Sequence, residues 1–240
     1  FDAGSYASSG TYVTGLAAKN AATELREKIC AKAAQMWDVD AADVVFDGQY
    51  VRLSDERAAR EQNRYLTLRD FANLCVKNIA GGDALTSHAS ACLPVSPPPF
   101  MAGIAEVEVD KATGKVTVVD YAAAVDCGTV INEALARVQA EGGIAQGIGH
   151  ALYEIVEHDE RGRLRTGNFM SYKLPTRLDI GSIRVAFEPS YEPTGPFGAK
   201  SIGEVVINTP LAAVASAVAH ATGHQVRSLP ITPEKALLGE

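Results

Sequence analysis

Three stretches of this 240-residue sequence combine residue types suited to chemistry. The first is Pro193–Glu204, PTGPFGAKSIGE, in which three glycines and a lysine precede a glutamate flanked by Ile202, Val205 and Val206. A carboxylate among apolar neighbours is partly desolvated, which raises its pKa toward neutrality and makes Glu204 a candidate general base. The alternative is an exposed glutamate closing a surface loop, the commoner fate of that residue type. The second stretch, Gln139–Leu152 (QAEGGIAQGIGHAL), has helical apolar spacing yet carries Gly142, Gly143, Gly147 and Gly149. Each glycine inside a helix costs about 1 kcal/mol relative to alanine. A Gly-rich turn opening a helix would let backbone N–H groups approach a phosphate or a heterocycle. Tight packing of a helix on a neighbour is the competing explanation, and neither common phosphate-loop pattern is present. The third, Ala3–Thr11 (AGSYASSGT), offers Ser8, Ser9 and Thr11 as hydrogen-bonding groups for a polar ligand, or is a loose chain end.

Other reactive residue types carry less. Cys30, Cys75, Cys92 and Cys127 are widely spaced, so no zinc site, iron–sulfur cluster or disulfide framework is indicated, and reduced thiols are expected. His220 and His224 have Gly223 between them at a helix end, and His88, His150 and His158 lack partners at ligand spacing. The G-x-S-x-G nucleophile turn is absent.

The elements that must position these stretches can be read from periodicity. Apolar residues recur at three- and four-residue steps over Gly15–Trp37, predicting an amphipathic helix. Val44–Leu53 alternates around Asp47-Gly48, a hairpin signal. Thr67 with Asp70 opens a second helix over 68–80, stopped by Gly81-Gly82. Prolines 94, 97, 98 and 99 mark Leu93–Phe100 as a boundary. Beyond it, Ile104–Val109 and Lys115–Val119 predict an antiparallel hairpin, and Leu152–His158 and Ile183–Glu188 further strands. The last long helix is expected to have Thr209 as N-cap, Pro210 as its first residue and Gly223 just past its end. Helices and strands mix without a regular βαβ repeat, so the fold class is α+β.

Composition narrows the function classes. Hydrophobic residues make up 47% and charged residues 21% of the chain, an ordinary globular balance rather than a disordered one. A net charge of −7 argues against a nucleic-acid or polybasic membrane partner. No stretch reaches the roughly 18 apolar residues of a membrane span, so a soluble cytoplasmic protein is expected. The opening at Phe1 rather than methionine points to a fragment or a processed subunit.

Taken in order, SYASSGTYVTG, AEVEVDKATGKV, AAVDCGTVIN, QAEGGIAQGIGHAL, SYKLPT, EPTGPFGAKSIGE and ATGHQVRSLPITPEKAL resemble the C-terminal part of the molybdenum-binding subunit of the xanthine dehydrogenase and aldehyde oxidase family, nearest to xanthine dehydrogenase. The likeness runs over nearly the whole chain. It implies two lobes of mixed or antiparallel sheet with packed helices, residues 1–93 and 101–240, joined by a Pro-rich linker at 94–100. It also implies a molybdopterin cofactor, as such or as the cytosine dinucleotide, with the metal held by the pterin dithiolene and not by side chains. In this resemblance Glu204 is the catalytic base of a hydroxylation that takes its oxygen from water. Ala7, Ser8 and Ser9 match the small-residue loop that lies against the metal end or the pterin and its phosphate, Gln139, Gly142, Gly143 and Gly147 the stretch that hydrogen-bonds the pterin, and Lys200 and Gly203 are further cofactor-binding residues of the catalytic loop. Ser201 and Val138 stand where the family often has glycine, and Asn132-Glu133 where it often has Asn-Pro.

The implied substrates are a purine (xanthine-like first), another N-heterocycle or an aldehyde. The implied partners are the N-terminal part of the subunit and chains or domains carrying [2Fe–2S] and FAD, in an oligomer, with the 240 residues alone inactive. A non-catalytic subunit-interaction or cofactor-delivery module with the same fold is the main alternative. A phosphate-binding α+β protein using the Gly142 region is a weaker one.

Overall fold

The computed structural model describes residues 4–77, 85–92 and 95–239. Ala3, the expected helix end at Asn78–Ala80 with Gly81-Gly82, and Leu93-Pro94 of the expected boundary lie outside them. There are two compact units, Thr14–Cys92 and Leu93–Glu240 together with Phe1–Val13. The first thirteen residues thus group with the later part of the chain rather than with the expected first lobe. The physical reason is visible at Tyr12, which is buried and whose hydroxyl shares a hydrogen bond with Thr194.

In the smaller unit, α1 spans Gly15–Trp37, as the periodicity predicts, and buries Ile29, Ala33 and Ala34. It stops at Asp38, which takes the left-handed conformation while its N–H bonds to the Ala34 carbonyl. β1 (Val44–Phe46) and β2 (Tyr50–Leu53) form the predicted antiparallel hairpin. Asp47 Oδ1 accepts from the Gln49 and Tyr50 amides in its turn. These two amides, Tyr50 first, hold the Asp47 carboxyl below its ordinary pKa. α2 (Glu56–Glu61) and β3 (Tyr65–Thr67) were not predicted, since elements this short show too little periodicity to register. α3 (Leu68–Lys77) starts where Thr67 and Asp70 predict. The Thr67 hydroxyl accepts from the Asp70 amide and donates to its carboxylate. The sheet has the order β1-β2-β3, and Phe71 is the large buried side chain beside it.

In the larger unit, β4 (Phe100–Val109) and β5 (Val116–Asp126) are antiparallel, both longer than predicted, and β6 (Ser182–Phe187) adds parallel to β5. α4 (Glu133–Leu152) connects β5 to β6, and α5 (Val205–Thr222) and α6 (Pro233–Leu238) follow. Two three-stranded sheets, one antiparallel and one mixed, with packed helices make the class α+β. The core joins Val118, Tyr121 and Val125 of β5 to Ile144 and Ile148 of α4 and to Val206, Val214 and Val218 of α5. Burial pushes the Tyr121 phenol up to about 12, so it stays protonated.

Four expectations are corrected here. The glycines of 139–152 do not open a helix: α4 begins at Glu133, capped by Asn132, whose side chain accepts from the Leu135 amide at 3.0 Å. They therefore sit within the helix, where their N–H groups belong to its own hydrogen-bond ladder, and the phosphate-cradle reading loses its donors. Leu152–His158 is not a strand, because α4 continues to Leu152 and His158 only bridges Leu164 in a turn held by Asp159. α5 starts at Val205, with Pro210 inside it and Gly223 past its end as expected. Pro210 lacks the N–H that a helix interior uses, but it is fully buried and packs into the notch that Gly147 leaves in α4. Finally, by length and composition alone α5 is apolar enough to cross a membrane, 18 residues at mean hydropathy 1.4. Here its buried Val206, Pro210, Val214 and Val218 belong to the packed layer against α4 and the sheet.

Candidate active site

The site is built where three stretches distant in sequence meet in the larger unit. A short 3-10 turn at Tyr6–Ser8 places Ala7 at φ 51° and Ser8 at φ 56°, left-handed values that L side chains seldom adopt. The loop Pro193–Glu204 contains a second such turn, Pro196–Gly198, with Phe197 at φ 54° and Gly198 at φ 90°. Backbone held in such conformations persists only where surrounding contacts over-determine it. Several are present. Thr129 N donates to Gly198 O at 2.8 Å, Lys200 N donates to Cys127 O at 2.8 Å, and Gly128 bridges Ala199.

Gly203 is the meeting point. A Cβ built on it would lie 2.7 Å from Ser8 Oγ and 3.9 Å from Gln139 Nε2, so glycine lets the serine loop close on the 193–204 loop beside α4. Ser8 Oγ and the Gln139 amide have no hydrogen-bond partner among the described residues. Ser9 does: its hydroxyl donates to Tyr6 O at 2.7 Å. Gln139 also lines a cleft of about 290 Å³ with Thr11, Cys127, Asn132, Lys200 and Ile202. An unpartnered amide lining the cleft, with an unpartnered hydroxyl near it at Gly203, suits the edge of a planar heterocycle rich in nitrogen and oxygen, so these residues fit a pterin.

The remaining expected site residues divide. Gly143 faces Val206, and Gly147 faces Pro210 and the Ile207 carbonyl, with a Cβ at Gly147 only 2.8 Å from Pro210 Cβ. Both are accounted for by close packing of α4 on α5. Gly142 is exposed and lines a separate groove with Val138 and Arg177. Lys200 does not extend its charge into the cleft: its ammonium is 2.7 Å from Asp126 Oδ2 and its side chain is only 9% exposed. Glu204 is the residue before the first turn of α5, makes no cap hydrogen bond and is exposed. Its apolar sequence neighbours do not bury it, because Ile202, Val205 and Val206 pack toward the core of this unit while the glutamate is exposed.

Asp126 is the site residue that sequence reasoning missed. It holds Lys200, accepts from Ser190 Oγ at 2.5 Å and accepts from Gly128 N at 2.9 Å. Burial alone would raise its pKa, but Lys200, Ser190 and the Gly128 amide outweigh that and hold the carboxyl below the usual range. The D-x-G spacing of Asp126 and Gly128 was an available signal for this turn. Cys127 beside it lines the cleft, yet desolvation and then the Asp126 charge push its thiol up, which makes it a poor nucleophile. Among the described residues no group of three or more His, Cys, Asp or Glu side chains could hold a metal ion.

Comparison with known proteins finds relatives that match nearly the whole chain. The chain is 37% identical over 99% of its length to the "probable hypoxanthine oxidase XdhD" of Escherichia coli K12, and spans 24% of that protein. It is 34% identical over 98% of its length to the xanthine dehydrogenase molybdenum-binding subunit of Escherichia coli O157:H7, and spans 31% of it. The crystal structure of quinoline 2-oxidoreductase from Pseudomonas putida 86 superposes with a TM-score of 0.80 at 30% identity, over 96% of this chain and 30% of the other. The chain thus spans 24–31% of the length of these relatives. The sequence profile of the molybdopterin cofactor-binding domain matches residues 1–181, and the chain belongs to that family.

Proposed function

We propose that this chain is the C-terminal part of the molybdenum subunit of a hydroxylase that oxidises a purine, another N-heterocycle or an aldehyde with oxygen from water. The observation that carries the reading is the convergence at Gly203 of Ser8 and Gln139, both without partners, one residue before Glu204. When bound, the pterin cofactor supplies the two-electron redox chemistry and the activation of water. Within this reading Glu204 accepts the proton released as water's oxygen is transferred, a task for a positioned carboxylate. Ser8 and Gln139 donate to the cofactor's polar edge, and Ala7 and Gly203 keep the approach free of side-chain bulk. Gly143 and Gly147 act at one remove, by holding α4 against α5 and so fixing Gln139 relative to Glu204.

Xanthine-like purines are the preferred substrate, supported by the names of the two Escherichia coli relatives. Electrons leave through [2Fe–2S] and FAD on partner chains or further domains of a cytoplasmic complex. The exposure of Gln139 and Glu204 supports a site completed by the N-terminal part of the subunit, so that the 240 residues alone neither retain cofactor firmly nor turn over.

Glu204→Gln in the intact complex tests this. Loss of a general base should lower turnover by about 10²- to 10⁴-fold while molybdenum content stays unchanged, because no ligand is removed. Unchanged turnover would replace the enzyme reading with that of a binding or cofactor-delivery module.

A further inference from the structure

We propose that the Asp126–Lys200 ion pair is the positioning device of the catalytic loop, anchoring the segment that presents Glu204. This rests on the reading of Glu204 as the base. The Glu204 side chain makes no hydrogen bond among the described residues, so its place is set by the backbone on either side of it. Downstream, Val206 is fully buried against Gly143 of α4. Upstream, the anchor is Lys200, with Ser201, Ile202 and Gly203 half-buried between the two.

The partners of Lys200 all lie within its own unit. Nζ is 2.7 Å from Asp126 Oδ2, 3.4 Å from the Pro98 carbonyl and 5.3 Å from the Phe100 ring centre. Asp126 is equally committed, with Oδ2 on Lys200 and Oδ1 shared by Ser190 and the Gly128 amide. The side chains are 9% and 21% exposed, so water competes little with the pair, and removing either partner leaves a largely buried charge unpaired. The two segments that carry the pair are also clipped along the backbone, Lys200 N to Cys127 O and Ala199 to Gly128. The end of β5 therefore holds the catalytic loop at backbone and side chain together. Sequence resemblance gave Lys200 a place at the cofactor; the geometry gives it a place behind the base.

The experiment compares Lys200→Met, Asp126→Asn and Lys200→Arg in the intact molybdenum-containing complex. A displacement of about 1 Å at a reacting group costs up to about 100-fold. The first two variants should therefore lose about 10- to 100-fold in kcat with KM and molybdenum content unchanged, and Lys200→Arg, which keeps the charge, should recover most of it. Hydrogen–deuterium exchange read by mass spectrometry should show faster uptake across 199–204 in the first two variants only. Asp126→Asn keeps the side-chain shape and the acceptor for the Gly128 amide, so it carries the test even where Lys200→Met fails to assemble. Molybdenum lost from a Lys200→Met complex that assembles normally would overturn the inference by placing that residue at the cofactor. Unchanged kcat and unchanged uptake would overturn it directly. Should Glu204→Gln itself turn over normally, the base reading falls, while uptake across 199–204 still decides whether the pair holds the segment.

Discussion

The two compact units use the same unusual backbone conformation for different ends. In Thr14–Cys92 the left-handed non-glycine residues among those described are Asp38 and Asn63, each just past a helix. Aspartate and asparagine tolerate that region, and a helix C-terminus is where it ordinarily occurs. In the larger unit they are Ala7, Ser8 and Phe197, in short turns rather than at helix ends. Such residues cost on the order of 1–3 kcal/mol each and have to be held by tertiary contacts. All ten candidate site residues belong to this larger unit and none to the smaller one. Where local rules are obeyed the chain builds a scaffold, and where they are broken it assembles groups that distant segments supply.

This contrast can be broken at its strongest point in the smaller unit. Phe71 is 1% exposed, and Phe71→Ala should cost about 3–5 kcal/mol in denaturant unfolding, with loss of hydrogen-exchange protection within 14–92. A cost below about 1 kcal/mol would mean that α3 is not packed as described.

The next largest effect lies at the α4–α5 contact and has two signs. Gly147→Ala should destabilise by about 1–3 kcal/mol, because its methyl meets the Pro210 ring and the Ile207 carbonyl, neither of which can rotate aside. Gly142→Ala, with nothing within 4 Å, should instead stabilise by about 0.5–1 kcal/mol through helix propensity. Equal effects of the two would show that helix propensity, not packing, decides both positions. A smaller change, about 1 kcal/mol, is expected from Thr67→Ala, which removes the cap of α3.

The smallest effect is a slope. Because the Asp126 carboxyl is held below its ordinary pKa in the folded chain, it contributes stability that is fully present above the unfolded value of about 4. That contribution is lost as the pH falls through the lowered folded value. Asp126→Asn should therefore flatten the acid limb of stability against pH below about 4, and an unchanged limb would remove the pair from the account.

Legibility in the sequence followed the range of the interactions. α1, the Asp47 hairpin, the Thr67 cap and Gly223 depend on residues within a few positions of each other, and the structure has each where predicted. The start of α5 was misread because Thr209-Pro210 is a good local signal, overridden by Pro210 fitting against Gly147 some sixty residues away. Gly143 and Gly147 of α4 stand out in the sequence, but their reason, Val206 and Pro210 on another helix, lies outside any local window. At the site, Glu204 and Ser8 stand out by residue type and surroundings, Gln139 and Gly203 by resemblance, while Asp126 has no mark because a lone aspartate at a strand end shows no periodicity.

By itself the sequence determined that α1, the Asp47 hairpin, α3 and the β4–β5 hairpin are helical or extended, where several elements stop, and which residue types are available for chemistry, since propensity, capping and turn geometry act over a few residues. Only the tertiary structure decided that residues 4–13 belong with the later unit, that the Lys200 ammonium pairs with Asp126, that Glu204 faces outward, and that Ser8 and Gln139 meet at Gly203. Those outcomes depend on the closure of long loops and on which buried charges find partners, and neither is settled until the segments are packed together.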